Sequence, residues 1–185
     1  MGRRRSGVTS IEIPQSRFSK KSTADEVTEG LDLSGQIALV TGCTSGTGLE
    51  SVRVLALRGA HVLATGRTIA KVEAATADMT GDITPLELEL TDLDSINRCA
   101  STIVEAGLIP SIVILNAGMD HMGDLELVNG IELKFFANFL GHFVFVNNLL
   151  PWLLKKPAGR IVHVASDSAH KAPPKGPPPE GIDFD

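Results

Sequence analysis

Apolar residues fall along the chain in two alternating rhythms. Short runs over residues 37–40, 61–65, 85–90, 111–115 and 161–165 have the length and apolar content of buried strands, and most stop at a turn residue. The stretches between them place apolar residues three and four apart. Leu49, Val52, Leu55 and Ala56 share one face of a helix that Gly59 ends. Thr68 is the expected N-cap of a second helix reaching about residue 79, closed by Gly81-Asp82. Thr91 to Asp94 reads as a capping box opening a third helix to about 106, and Asn129 to Glu132 as another opening a long helix to about 154. That last helix carries Phe135, Phe136, Phe139, Phe143 and Phe145 and is apolar nearly all round, so it is expected to be buried. A loop is expected from Gly118 to about 128. Strands alternating with helices give a parallel, doubly wound α/β sheet of five strands. The sheet is expected to be truncated after the fifth strand, since nothing beyond it pairs with it or covers it.

The most informative junction is the first. The run over 37–40 passes into Thr41-Gly42-Cys43-Thr44-Ser45-Gly46-Thr47-Gly48 and then into a helix. Strand, glycine-rich turn and helix together offer a pyrophosphate the unpaired N–H groups and positive dipole end of a helix N-terminus. Gly42 would permit the sharp exit from the strand, Gly46 the approach of phosphate, and Gly48 close packing of helix on strand. No Gly-Lys-Ser/Thr follows, which excludes a nucleoside-triphosphate P-loop. The other polar motifs also fall at strand ends: Arg67 after the second, Glu89 and Leu90 at the third, Asn116 after the fourth and Ser166 after the fifth. Ligands of open α/β sheets bind there. NAD asks for a carboxylate near the adenosine ribose and NADP for a cation; Gly66-Arg67 supplies the cation, so NADP is expected over NAD.

Composition narrows the picture further. The 185 residues are 43% hydrophobic with a net charge of −5, which suits one soluble domain and gives no general attraction to nucleic acid or anionic membrane. Cys43 and Cys99 make no metal-ligand or redox pattern, so no metal site and a reducing, cytoplasmic setting are expected. Arg3-Arg4-Arg5 lacks the apolar segment of a secretory signal, and Met1-Gly2 with Ser6 is a weak myristoylation pattern. Residues 135–154 are uncharged and long enough to span a bilayer, but Asn138, His142, Asn147, Asn148 and Pro151 favour a buried helix over a membrane span. The chain thus divides into a polar tail (1–33), a nucleotide-binding domain (34–170) and a proline-rich loop (171–185).

Four motifs in order carry a family resemblance: Thr41-Gly42-x-x-x-Gly46-x-Gly48, Asn116-Ala117-Gly118, Asn138-Phe139-Leu140-Gly141-His142-Phe143, and Arg160 through Ser166. The chain resembles the N-terminal portion of a short-chain dehydrogenase/reductase, nearest the retinol-dehydrogenase-like branch. That resemblance implies a Rossmann-like fold and hydride transfer between NADP(H) and a small carbonyl or alcohol substrate, with a homodimer in full-length relatives. It implies that Gly42, Thr44, Ser45, Gly46, Thr47, Gly48, Arg67, Glu89, Leu90, Asn116, Ala117 and Gly118 bind cofactor, and that Ser166 and Asn138 are two of four catalytic residues. His142, one turn beyond Asn138, is expected to pack or to support it.

Three departures stand out. Glu89 takes the place of an aspartate near the adenine, and Leu115 that of the first asparagine of Asn-Asn-Ala-Gly. The third is larger: the family's acid is the tyrosine of Tyr-x-x-x-Lys beyond the serine, and this sequence has no tyrosine. The sequence therefore reads as the cofactor-binding part of an oxidoreductase, inactive alone, with the missing motif expected in sequence beyond Asp185. A non-catalytic NADP sensor or scaffold is the alternative. An SH3 ligand built on Lys171, Pro174 and Pro177, or a serine hydrolase lacking its Gly-x-Ser-x-Gly elbow, fits less well.

Overall fold

The computed structural model describes residues 16–120 and 124–166. The arginine run, the myristoylation pattern, the proline segment and the stretch before Asp185 lie outside the described residues. Five strands, β1 (Ile37–Val40), β2 (His61–Gly66), β3 (Asp82–Glu87), β4 (Ile112–Leu115) and β7 (Arg160–His163), form one sheet in the order β3-β2-β1-β4-β7. Every pairing is parallel, with Leu39 opposite Leu63 and Val113 at the centre. The order reverses direction between β1 and β4, which opens a crevice above the carboxyl ends of those strands.

Helices cover both faces, and β1 shows why the sheet needs them. Ala38, Val40, Val62 and Ala64 point to one face, where they pack with Val52 and Leu55 of α2 (Gly46–Leu57) and Val72 of α3 (Ile69–Thr76). Leu39 and Leu63 point to the other, against Ile96 and Ile103 of α4 (Leu93–Glu105) and Phe145 and Leu149 of α6 (Gly141–Leu153). Residues 38–40 are all fully buried. Burial of each large side chain there contributes about 1.5–3 kcal/mol, so apolar residues are favoured on both sides of the strand.

Several boundaries differ from expectation for identifiable reasons. The stretch before β1 is not featureless: α1 (Ala24–Thr28) is set by a Thr23–Glu26 capping box, in which Glu26 N–H donates to Thr23 Oγ1 at 3.2 Å and Thr23 N–H to Glu26 Oε2 at 2.7 Å. It is tied to α2 by Arg53, which bridges Asp25 and Glu50. β3 starts at Asp82, three residues before the expected Pro85, because an edge strand tolerates proline. α3 stops at Thr76, short of 79. α4 is capped by Asp92, whose Oδ1 accepts from Asp94 N–H at 2.9 Å, and not by a box begun at Thr91.

The largest difference follows the fourth strand. Asn129-Gly130 does not cap a helix; it is the two-residue turn of a hairpin pairing β5 (Leu127–Val128) with β6 (Ile131–Glu132). Both turn residues have positive φ, 53° and 80°, the geometry that Asn-Gly adopts most readily. The helix begins three residues later, capped by Glu132, which accepts from Phe135 N–H. It runs as α5 (Leu133–Phe135), a π-helical turn (Phe136–Leu140) and α6. Nor is it buried all round. Phe136 and Phe145 are buried, whereas Phe135, Phe139 and Phe143 stack in an exposed stripe with centroids 5.4 and 6.4 Å apart.

Candidate functional site

The loop after β1 is shaped by its glycines. Gly42 and Gly46 have φ of 72° and 58°, which residues with a Cβ rarely adopt. A Cβ on Gly48 would lie 2.2 Å from Gly42 O, so Gly48 is what lets α2 start directly over the end of β1. Ser45 is the N-cap of α2 yet makes no side-chain capping bond, leaving the first-turn N–H groups available to an anion. Asn116 ties the loop shut: its Nδ2 donates to Thr41 O at 3.0 Å, and its Oδ1 accepts from Thr47 Oγ1 at 2.8 Å.

Above these strand ends lies a cleft of about 590 Å³. Its walls are the glycine loop, Arg67, residues 88–91, residues 116–119, and Leu133 and Ala137. The structure brings together on this surface every expected cofactor residue except Gly48: Gly42, Thr44, Ser45, Gly46, Thr47, Arg67, Glu89, Leu90, Asn116, Ala117 and Gly118. Gly48 is buried beneath it. The volume suits an extended small molecule.

The walls differ in chemistry. Arg67 is exposed at the mouth, one residue past β2. Glu89 is turned back on its own loop, where Oε1 accepts from Thr91 N–H at 3.1 Å and Thr91 Oγ1 at 2.8 Å. Leu90 is apolar and nearly buried, and its carbonyl lies against Gly141, where a Cβ would come within 2.1 Å. Thr65 was missed from sequence because it reads as an ordinary strand threonine. It lines the cleft, is 1% exposed, and its Oγ1 is a buried oxygen without a hydrogen-bond partner among the described residues. A polar ligand group in the cleft would satisfy it. That orphaned hydroxyl and the glycine cradle fit a dinucleotide.

Asn138 and Ser166 do not line the cleft. Asn138 lies in the π-helical turn, marked by an N–H bond from Gly141 back to Phe136 O. Such turns are frequent at functional sites. Its side chain grips one residue: Oδ1 accepts from Met119 N–H at 2.8 Å and Nδ2 donates to Met119 O at 2.9 Å. Ser166 follows β7 on the exposed side of the sheet end. His142 is 1% exposed, with Nε2 2.8 Å from Thr41 Oγ1 and Nδ1 3.2 Å from Asn138 O, and burial lowers its pKa. Cys43 donates its thiol to Val40 O at 2.9 Å, and burial pushes its pKa up to about 12, so the nearby helix end does not activate it. A second groove of about 360 Å³, between α4 and α6, has Trp152 and Asn148 in its wall and no strand end or glycine loop. Among the described residues no group of three His, Cys, Asp or Glu could hold a metal ion. No helix among them is long and apolar enough to cross a membrane.

Residues 36–178 match the family model described as short chain dehydrogenase. The chain belongs to the short-chain dehydrogenase family. It is 32% identical over 171 residues to short-chain dehydrogenase TIC 32 A, chloroplastic, of Brassica napus, covering 86% of this chain and 53% of that protein. It is 33% identical over 137 residues to human retinol dehydrogenase 13, covering 71% and 41%. Among solved structures, the RhlG/NADP active-site complex of Pseudomonas aeruginosa superposes with a TM-score of 0.62 at 28% identity, covering 70% of this chain and 54% of that one. The chain thus spans about half the length of TIC 32 A, and the family binds NAD(P).

Proposed function

We propose that this chain is the NADP-binding part of a short-chain oxidoreductase that moves hydride between NADP(H) and a small carbonyl or alcohol, acting in the cytoplasm with a homodimeric full-length form. The observation that carries the cofactor choice is the pairing of two features across one cleft: the uncapped start of α2 and Arg67 at the end of β2. The loop of Gly42 to Thr47 would hold the pyrophosphate. Arg67 would pair with the 2′-phosphate, where NAD would find no carboxylate for its ribose. Leu90, Ala117 and Gly118 offer surfaces for flat rings, Glu89 a backbone beside the adenine, and Thr65 a hydroxyl donor. Ser166 would hydrogen-bond the substrate carbonyl, and Asn138 would order the loop beside it.

Bound NADP(H) supplies or accepts the hydride; the protein must handle the proton. Ser166 is a poor acid at neutral pH, and this sequence holds no tyrosine, so turnover by this chain would need another proton donor. A second reading is a non-catalytic NADP sensor or scaffold on this fold. Both readings share the cofactor, which is where the test falls. Titrating NADPH and NADH into the chain and into Arg67→Ala is expected to show NADPH preferred by about tenfold to a hundredfold, from a charge-assisted contact of ~1.5–3 kcal/mol, with the preference lost in the variant. Equal affinities for wild type, or a preference that survives Arg67→Ala, would remove the assignment.

A further inference from the structure

The cleft wall after β4 hangs on a hydroxyl with no spare capacity. Thr41 Oγ1 accepts from Asn116 N–H and from Ala117 N–H, each at 2.9 Å. A hydroxyl has two acceptor lone pairs and one proton, so both lone pairs are used and the proton has one remaining direction. That direction is His142 Nε2, 2.8 Å away and 101 positions along the chain. Nε2 must therefore be the bare, accepting nitrogen, and Nδ1 carries the hydrogen that donates to Asn138 O at 3.2 Å. Asn138 in turn holds both backbone groups of Met119. One buried imidazole thus joins the end of β1, the π-helical turn, and both ends of the wall formed by residues 116–119.

We propose that His142 is a positioning residue for the cofactor cleft: in its neutral Nδ1–H form it fixes the Thr41 hydroxyl so that Asn116 and Ala117 are held where the cofactor meets them. The proposal deepens the NADP-binding reading and rests on it for its effect on affinity. Adding a proton to Nε2 would set N–H against O–H. Relief would require Thr41 to turn and release Asn116 or Ala117, since a ring 1% exposed has no water to take the bond. The elements packed on the ring present few charges. Thr41 and the loop of 116–119 present none, Asn138 presents a carbonyl, and β7 presents His163, whose ring meets that of His142 edge-on at 5.7 Å. Burial and, to a lesser degree, the neighbouring His163 lower the pKa of His142, which reinforces the neutral state.

The test uses the whole 185-residue chain. Imidazole ¹⁵N shifts are expected to show His142 as the Nδ1–H tautomer at neutral pH, and the Asn116 and Ala117 amide resonances to move together with His142 as acid is added. NADPH titrations between about pH 5 and 8 are then compared across wild type, His142→Gln and His142→Leu. Glutamine keeps an acceptor near the Nε2 position and does not titrate, so His142→Gln should bind NADPH within about threefold of wild type at neutral pH. Leucine removes the acceptor and should weaken binding about tenfold or more. The 2′-phosphate of NADPH titrates near pH ~6 itself, so the readout is the difference between profiles: wild type should lose more affinity in acid than His142→Gln. An Nε2–H tautomer in wild type, amides of Asn116 and Ala117 that ignore the His142 titration, or superimposable profiles for wild type and His142→Gln would each overturn the proposal. A chain that binds no NADPH would sink the functional reading, while the tautomer and amide measurements would still decide the role of His142.

Discussion

The two edges of the sheet are built to different standards. At one edge, Leu88 N–H bonds Gly66 O, so even-numbered residues of β3 face β2 and Pro85 falls on the outward side. Proline there removes a donor from the open edge, and exposed Asp82 and Glu87 add charge at both ends. Those are features by which proteins discourage edge-to-edge pairing. At the other edge, Arg160 and Val164 donate inward to Ser111 and Leu115, so Ile161 and His163 turn their backbone groups outward. Among the described residues that edge carries no proline and no carboxylate, with charge only from Arg160 at its start, and Ile161, Val162 and Val164 are 47%, 47% and 50% exposed. The stripe of Phe135, Phe139 and Phe143 adds further apolar surface. The difference separates two jobs. The cleft rests on β1 to β4 and their loops, which are finished among the described residues, whereas Ser166 stands beyond a strand whose outer edge is open among them.

The comparison breaks most visibly in solution behaviour. An unblunted apolar edge favours self-association, so the chain is expected to sediment as a concentration-dependent mixture. Ile161→Lys with Val164→Lys should raise the concentration at which it associates by roughly tenfold or more, a change of ~1.4 kcal/mol or above. NADPH affinity should not change, because neither residue lines the cleft. Association unaffected by the two lysines, measured by sedimentation velocity, would mean the β7 edge is not what drives it.

A second effect probes the finished side. Gly141→Ala would push a Cβ to 2.1 Å from Leu90 O, a clash with backbone that side-chain rotation cannot relieve. We expect a loss of about 3 kcal/mol in urea denaturation, at the upper end for overpacking. Gly118→Ala, whose Cβ would meet nothing nearer than 3.6 Å, should cost less than about 1 kcal/mol. Similar costs for the two would show that the contact between helix and Leu90 is looser than its geometry.

How much of this was legible in the sequence depends on how local the cause was. β1 was read at its observed bounds, because an apolar run ending at a glycine is a local signal. The position of the glycine loop and Arg67 at strand ends, where they line one cleft, is legible for the same reason, since turn chemistry is local. Pro85 misled because its tolerance depends on β3 being an edge, which only the assembled sheet decides. Asn129-Gly130 carried two local meanings, cap and hairpin turn, and the pairing of Leu127 with Glu132 selected the second. The exposure of the phenylalanine stripe could not be read from a helix apolar on every side. His142 with Thr41, and Asn138 with Met119, are contacts across folded distance that no spacing rule announces.

A smaller effect concerns pH. Burial lowers the pKa of His142 from the ordinary 6.5, so the unfolded chain binds the proton more readily than the folded one. The stability this histidine contributes is complete above pH 6.5 and is lost as the pH falls from there through the folded value. Denaturation midpoints should fall over that window in wild type and fall less in His142→Gln. Equal slopes would place the titrating group elsewhere.

The least effect of all is expected at the cysteines, and it separates the two sides once more. Cys43 and Cys99 are both buried on the finished side, Cys43 under the glycine loop and Cys99 against the sheet on α4. Burial pushes both thiols up to about 12, well above the usual range, so neither holds a measurable thiolate fraction at neutral pH. A thiol reagent in excess should therefore leave the native chain unmodified over hours and label two cysteines once it is unfolded in denaturant. Reaction slowed further by NADPH would point to Cys43, because that residue lies in the loop the cofactor would cover. Fast labelling of the native chain at neutral pH would mean that the glycine loop opens without ligand, and that the cleft side is less finished than its packing.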